Sequence, residues 1–386
     1  MSTPQSHAGF WTDEQRALQE SSRTFVEREI RPHLAQWEDD GEVPRELHLA
    51  AAKQGLLGVG FAEEVGGSGG DGLDMLALQE AFFAAGASSG LMSALFTHGI
   101  ALPHIVASGN ADLIDRFVRP VLSGEQIGSL GITEPDGGSD VAGIRTRAVR
   151  EGEHYVVNGA KTFITSGVRS DFVTCAVRTG EEGHGGISLL VIEKGTPGFS
   201  VSQPLRKMGW QCSDTAELTF DDVRVPVENL VGDENTGFYQ IAEQFVSERI
   251  GLAVHGYGIA DRALALTVQY VKERETFGKP LNTRQVVRHK LVEMRQRVEL
   301  ARTYTREVAR RHAAGENVIA EAVLAKNAAV DASSFVVDQA VQLHGGMGYM
   351  RESEVERHYR DQRIIGIGGG ATEVLNDLAV RLLGYA

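Results

Sequence analysis

The chain has 386 residues, with 52 acidic side chains against 38 lysines and arginines and a formal net charge of −14. That balance repels a phosphate backbone or an anionic membrane surface, so nucleic acid and lipid headgroups are excluded as main partners. At roughly 150 residues per domain the length suggests two or three packed units, and two cysteines, Cys175 and Cys212, with no CxxC pair exclude a disulfide framework and a thiolate metal cage.

The first 15 residues carry neither a basic stretch followed by an apolar core nor an Arg-rich, acid-poor leader, so the cytoplasm is the expected location. From Thr12 to about Gly124, Phe25, Ile30, Leu34 and Trp37, and later Leu76, Leu78, Ala81 and Phe82, recur at helical spacing. This predicts an N-terminal helical domain over residues 1–127. Its most apolar stretch, 81–96, is interrupted by Gly86, Ser88, Ser89 and Gly90 and is shorter than the ~20 residues a membrane span needs. From 128 to 236 the chain turns to short β-rich runs, such as Tyr155-Val156-Val157 and Phe172-Val173-Thr174, separated by Gly, Asn and Pro turns. These predict a small antiparallel β-domain. Long segments of strong helix formers return at 260–274, 286–311 and 320–343, predicting a helix bundle over 237–386. The expected fold class is therefore mainly α with a central β-domain.

Familiar catalytic patterns are absent. Gly67-Ser68-Gly69-Gly70-Asp71-Gly72 fits GxGxxG, but a dinucleotide fingerprint needs a strand in front and a βαβ unit around it, so a surface turn is expected there. None of the twelve histidines forms HExxH and no serine sits in GxSxG, which sets aside metalloprotease and hydrolase readings. No metal site is expected. The turn-dense loop Ile132-Thr133-Glu134-Pro135-Asp136-Gly137-Gly138-Ser139-Asp140 offers hydroxyls, acids and backbone amides suited to a polar ligand.

That loop is followed, in order, by Lys161-Thr162-Phe163-Ile164-Thr165-Ser166-Gly167, by Arg274-Glu275-Thr276-Phe277-Gly278-Lys279 and by Gln342-Leu343-His344-Gly345-Gly346-Met347-Gly348-Tyr349. Together these segments resemble the acyl-CoA dehydrogenase family over nearly the whole chain. The resemblance implies an N-terminal helical domain, a middle β-barrel-like domain and a C-terminal four-helix bundle. It also implies FAD as cofactor, a homotetramer built as a dimer of dimers, and an electron-transfer flavoprotein as partner, in fatty acid or branched-chain acyl metabolism such as beta-oxidation. By position, Leu130, Ile132, Thr133, Phe163 and Thr165 resemble the family's flavin contacts, and Ser139 a residue on the CoA side. Arg274, Thr276, Phe277, Gln285, Gln342 and Gly346 resemble contacts to the FAD of a neighbouring subunit.

The catalytic base departs from the best-known family pattern. Many members carry it as Glu in a Tyr-Glu-Gly-Thr turn, where this chain reads Gly368-Gly369-Gly370-Ala371. Gly369 offers a backbone N–H and no carboxylate. In the isovaleryl-CoA and long-chain branches the base lies on an earlier helix, directly before an arginine, and here Ser247-Glu248-Arg249 occupies that place. Ile241, Phe245, Glu248 and Leu252 are spaced four, three and four, so they share one helix face. A carboxylate on that face loses hydration, its proton affinity rises, and it becomes suited to abstracting a carbon-bound proton. The competing reading is a buried glutamate held by a basic partner; Arg249, adjacent in the helix, points about 100° away and is expected to face a neighbouring element or the substrate mouth.

Residues 366–370 and Thr372, just before a helix, resemble an anion cradle for a phosphate of FAD, with Ala371 where the family often has Thr. Leu91, Leu95 and Phe96 are candidates for the acyl chamber, although core packing explains them equally well. Two alternatives stand beside the dehydrogenase: an acyl-CoA oxidase passing electrons to oxygen, and a catalytically silent acyl-CoA or flavin-binding protein, suggested by Gly369.

Overall fold

The structure, a computed structural model, describes residues 9–386; the first eight, on which part of the reading of the chain start rests, lie outside the described residues.

Among the described residues nine α-helices build the first unit: α1 (Asp13–Phe25), α2 (Leu34–Asp40), α3 (Arg45–Lys53), α4 (Gly72–Ala85), α5 (Ser89–Leu95), α6 (His98–Ala101), α7 (Pro103–Ser108), α8 (Ala111–Leu113) and α9 (Arg119–Leu122). Local chemistry sets their ends. Thr12 and Gln15 form a reciprocal capping box at α1, and Asp71 and Asp74 form another at α4, each pairing donors that a helix start leaves open. The glycine-rich segment before α4 is a turn, joined to Val59 and Phe61 only by isolated bridges at Gly69.

Eight strands form the middle sheet: β1 (Gly128–Gly131), β2 (Arg147–Glu151), β3 (His154–Thr165), β4 (Phe172–Arg178), β5 (Ile187–Glu193), β6 (Phe199–Val201), β7 (Thr215–Pro226) and β8 (Leu230–Val231). The order is β6-β7-β3-β2-β4-β5-β8, with β1 also on β4. The purely antiparallel expectation is corrected at two places. β1 runs parallel to β4 over Gly128 to Gly131, and β2 meets β4 in parallel at the pair Arg147 and Arg178. Both reflect strands that arrive from distant chain segments rather than from a hairpin. The sheet curves around an interior of Val157, Val173, Cys175, Leu190, Leu218 and Val223, all at most 1 % exposed, without a pairing, among the described residues, between its edge strands β6 and β8.

The third unit contains α10 (Gly237–Glu273), the two-residue strands β9 (Glu275–Thr276) and β10 (Lys279–Pro280), α11 (Gln285–Ala313), α12 (Ile319–His344), α13 (Glu354–Asp361) and α14 (Thr372–Leu382). The units share their cores. One cluster joins Phe82, Leu91 and Leu95 to Ile259, Leu264 and Val336. Polar ties fix the same junction: Ser89 Oγ meets His255 Nδ1 at 2.8 Å, and Glu80 accepts two hydrogen bonds from the Arg306 guanidinium. The sheet is held by Arg169, whose guanidinium donates to Asp214 in the sheet unit and to the carbonyls of Val43 and Ala94 in the helical unit. No single described helix is long and apolar enough to cross a membrane.

Candidate active site

Glu248 sits in the first third of α10, half-buried. Its neighbours on the same face are Ile241, which is fully buried, and Phe245 and Leu252, which pack partly buried against the core. Among the described residues it makes no hydrogen bond and no ion pair, so the alternative of a glutamate clamped by a basic side chain has no geometric counterpart here. Desolvation raises its carboxyl above the ordinary glutamate range, and the charges of Arg249 and Lys326 pull in the opposite direction.

A second chain segment converges on the same point. Residues 366–370 form a tight turn before α14, with Gly369 at φ +63° and Gly370 at φ +99°, the left-handed region that disfavours a side chain. A Cβ built on Gly369 would lie 3.3 Å from Glu248 Oε1 and 2.3 Å from Leu252 Cδ1. The two sequence positions from which a base can be offered therefore border one small volume. Glu248 and Leu252 fill it from α10, and the turn supplies backbone.

Arg249 is buried, with its guanidinium 5.3 Å from the centre of the Phe245 ring and its Nε without a partner. Leu91 and Leu95, expected as chamber lining, are 0 % exposed inside the shared core. The half-open side chains between α4, α5 and α10 are instead Met75, Gln79, Ser93 and Phe96. Gln79 Nε2 lies 3.8 Å from where a Cβ on Gly251 would stand.

The residues expected along the flavin are assembled on β1 and β3. Thr162 N–H donates to the Thr133 carbonyl at 2.9 Å. The fully buried Lys161 Nζ reaches the Ile132 carbonyl at 3.0 Å and Glu134 Oε1 at 2.8 Å. This pins Ile132, Thr133 and Glu134 against the strand that carries Phe163 and Thr165. Phe163 is 68 % exposed at φ +58°, an aromatic face held outward in a conformation that costs energy and that a bound ring would cover. Leu130 and Thr165 are half-buried beside it, and Ser139 is exposed on the loop. The backbone groups, hydroxyls and open aromatic of this face fit a flavin.

Arg274, Thr276, Phe277 and Gln285 gather at the far end of α10. Tyr270 ties that end to α12, stacking on His344 at 4.2 Å and donating from its hydroxyl to the His344 carbonyl. Gln342 and Gly346 are thereby brought to the same end. About 25 residues of α10 separate this group from Glu248, on the order of 38 Å at the helical rise. Phe277 is 97 % exposed. Thr372 opens α14, but its hydroxyl donates to the Gly366 carbonyl at 3.4 Å and so closes the turn.

Two residues were missed by sequence reasoning. Lys161 anchors the flavin-side loop. Lys326 is 0 % exposed on α12, with its Nζ donating to the Gly370 carbonyl. A signal for Lys326 existed: Ala322, Ala325, Lys326 and Ala329 share one face and are all at most 1 % exposed.

Comparison with known proteins follows the same three units. Residues 12–125 match the family pattern "Acyl-CoA dehydrogenase, N-terminal domain", 129–223 the middle domain and 235–383 the C-terminal domain. The chain is 37 % identical over 374 residues to the long-chain specific acyl-CoA dehydrogenase, mitochondrial, of Mus musculus, covering 96 % of this chain and 86 % of that one. The structure of a probable acyl-CoA dehydrogenase from Mycobacterium abscessus superposes with a TM-score of 0.96 at 63 % identity, over 97 % of this chain and 100 % of that one. A glutaryl-CoA dehydrogenase from Mycobacterium smegmatis, solved in complex with FADH2, superposes with a TM-score of 0.92 at 25 % identity, over 99 % and 97 % of the two chains.

Proposed function

Since this chain belongs to the acyl-CoA dehydrogenase family, whose members are FAD flavoproteins, we propose that it converts an acyl-CoA thioester to the trans-2-enoyl-CoA with Glu248 as the base. The observation that carries this assignment is the 3.3 Å between Glu248 Oε1 and the point where a side chain on Gly369 would begin.

A thioester α-proton is too weakly acidic for a carboxylate in water. Two features of the chain lower that barrier. Desolvation makes Glu248 a stronger base, and the Gly369 N–H, presented by a run of three glycines, 368–370, donates to the thioester oxygen as negative charge develops there. Glu248 takes the α-proton onto a carboxylate oxygen and holds it. Bound FAD supplies the acceptor for the β-hydrogen and its two electrons. Leu130, Ile132, Thr133, Phe163 and Thr165 would hold the ring, Ser139 the CoA side and Arg249 the mouth, while Leu95 backs the acyl chamber only from within the core.

Arg274, Thr276, Phe277, Gln285, Gln342 and Gly346 contact the FAD of a neighbouring subunit in a homotetramer, and Thr372 steadies the turn. The separation of this group from Glu248 along α10 supports that assembly. Electrons leave to an electron-transfer flavoprotein, and the protein works in the cytoplasm. The test is anaerobic mixing of the yellow holoprotein with a panel of straight and branched acyl-CoAs. Bleaching by at least one member is expected, and a flavin that no member bleaches would count against the reaction.

A further inference from the structure

Lys326 is the one fully buried cation beside the proposed reaction centre among the described residues, and the mechanism above does not use it. Its side chain rises from α12, is 0 % exposed, and donates from Nζ to the carbonyl of Gly370. Gly370 directly follows Gly369, so this contact fastens the turn whose N–H meets the thioester oxygen. The same ammonium group faces Glu248, which has no ion pair of its own. We propose that Lys326 is a positioning residue with two effects: it clamps the Gly369–Gly370 turn from below, and it supplies the buried positive charge that keeps Glu248 ionised between turnovers.

The charge arithmetic around the site favours this reading. The cations acting on Glu248 are Arg249, from its own helix, and Lys326, from α12. Arg249 is turned onto the Phe245 ring, whereas Lys326 is aimed at the turn that borders the carboxylate. Burial pulls Lys326 down, Glu248 offsets part of that fall and Arg249 adds to it, leaving the ammonium at about 8. It is therefore still mostly protonated at neutral pH, with its charge held in a medium where charges act strongly on one another. An ammonium with one carbonyl acceptor keeps two further N–H donors. These remain for the carboxylate when it moves toward substrate.

The proposal rests on Glu248 being the base, so its test includes a measurement that needs no turnover. Lys326→Gln keeps a donor for the Gly370 carbonyl and removes the charge; Lys326→Met removes both. In holoprotein of each variant, the protonation of Glu248 is read as the pH dependence of its modification by a water-soluble carbodiimide, followed by peptide mass spectrometry. Both variants should show a midpoint about one pH unit above the parent, a tenfold change in proton affinity. In anaerobic flavin reduction the rate should rise with pH through the same displaced midpoint. At high pH Lys326→Gln should approach the parental plateau, while Lys326→Met stays about tenfold below it because the turn is loose. Parental midpoints in both variants overturn the charge role, and equal plateaus for Gln and Met overturn the clamp. If one variant fails to fold, the other still reports the midpoint. If no acyl-CoA bleaches the parent, the reaction is wrong while the carbodiimide profiles still decide on Lys326.

Discussion

Leu252 Cδ1 stands 2.3 Å from the position that a Cβ on Gly369 would take, so the leucine one turn beyond Glu248 occupies the space in which a carboxylate from the turn would begin. The consequence for a relocated base is direct. Glu248→Gln preserves shape and removes the base. It should slow flavin reduction by acyl-CoA by at least ~10²-fold while leaving flavin and substrate binding largely intact. Parental reduction rates in anaerobic stopped flow would show that Glu248 is not the base.

Adding Gly369→Glu to Glu248→Gln should restore nothing by itself. The new side chain meets Leu252 and must adopt φ +63°, which costs about 1–2 kcal/mol for an L-residue. Adding Leu252→Ala as a third change clears the collision, and partial recovery of bleaching is expected only in that triple variant.

The pH dependence follows from the sign of the Glu248 shift. Desolvation raises this carboxyl, and the positive charges of Arg249 and Lys326 offset the rise only in part. The ionised base therefore forms at a higher pH than in an ordinary glutamate. The rate of flavin reduction should climb with pH through a midpoint above the ordinary value of 4.5 and then level off. A rate already at its plateau at pH 4.5 would contradict the desolvated environment.

Lys161 and Glu134 form a buried pair at 2.8 Å, with side chains 0 % and 8 % exposed. Lys161→Met leaves a buried carboxylate without its cation, which costs about 3–5 kcal/mol, and it frees the Ile132–Glu134 loop. A lower melting temperature together with reduced flavin content is expected. Burial raises the Glu134 carboxyl, but Lys161 and the hydrogen bonds from Thr146 and Arg145 outweigh it, so the net shift is downward. A depressed carboxyl contributes stability that is present above its unfolded value and lost as pH falls through the folded one. Flavin release on acidification should accordingly begin below pH 4.5, and release that starts near neutrality would rule out this pair as the anchor.

If Arg274 makes the proposed charge-assisted contact to the pyrophosphate of FAD, Arg274→Ala removes about 1.5–3 kcal/mol of cofactor binding. Flavin occupancy after gel filtration should fall while the melting temperature of the apoprotein stays at the parental value. Unchanged occupancy would deny the residue its part in holding FAD.

Helical phase made Glu248 legible: three apolar neighbours at spacings of four, three and four defined a face, and the fold desolvates that face as expected. The three-unit architecture was legible for the same reason, since hydrophobic periodicity switches near residue 128 and again near 237. The parallel join of β1 to β4 was not, because nothing local records which distant strand a four-residue segment will meet. Lys326 escaped because a lysine on an alanine-rich helix reads as solvated. Only the turn from the other end of the chain, placed by α14, gives its ammonium a carbonyl and a nearby carboxylate. Leu95 shows the converse case, a residue marked for the chamber whose apolar character equally served the core, where the fold puts it.

The length of α10 bears on how damaged copies of this chain would behave together. In the proposed assembly, one helix delivers Glu248 to the reaction centre of its own subunit and, on the order of 38 Å away, delivers Arg274 to the cofactor of another. A chain lacking the first and a chain lacking the second are each inactive alone. Co-expressed, they can pair so that an intact Glu248 and an intact Arg274, contributed by different polypeptides, meet around one flavin. Two defective alleles would then complement each other within a single mixed oligomer, whereas two alleles damaged at the same end of the helix would not.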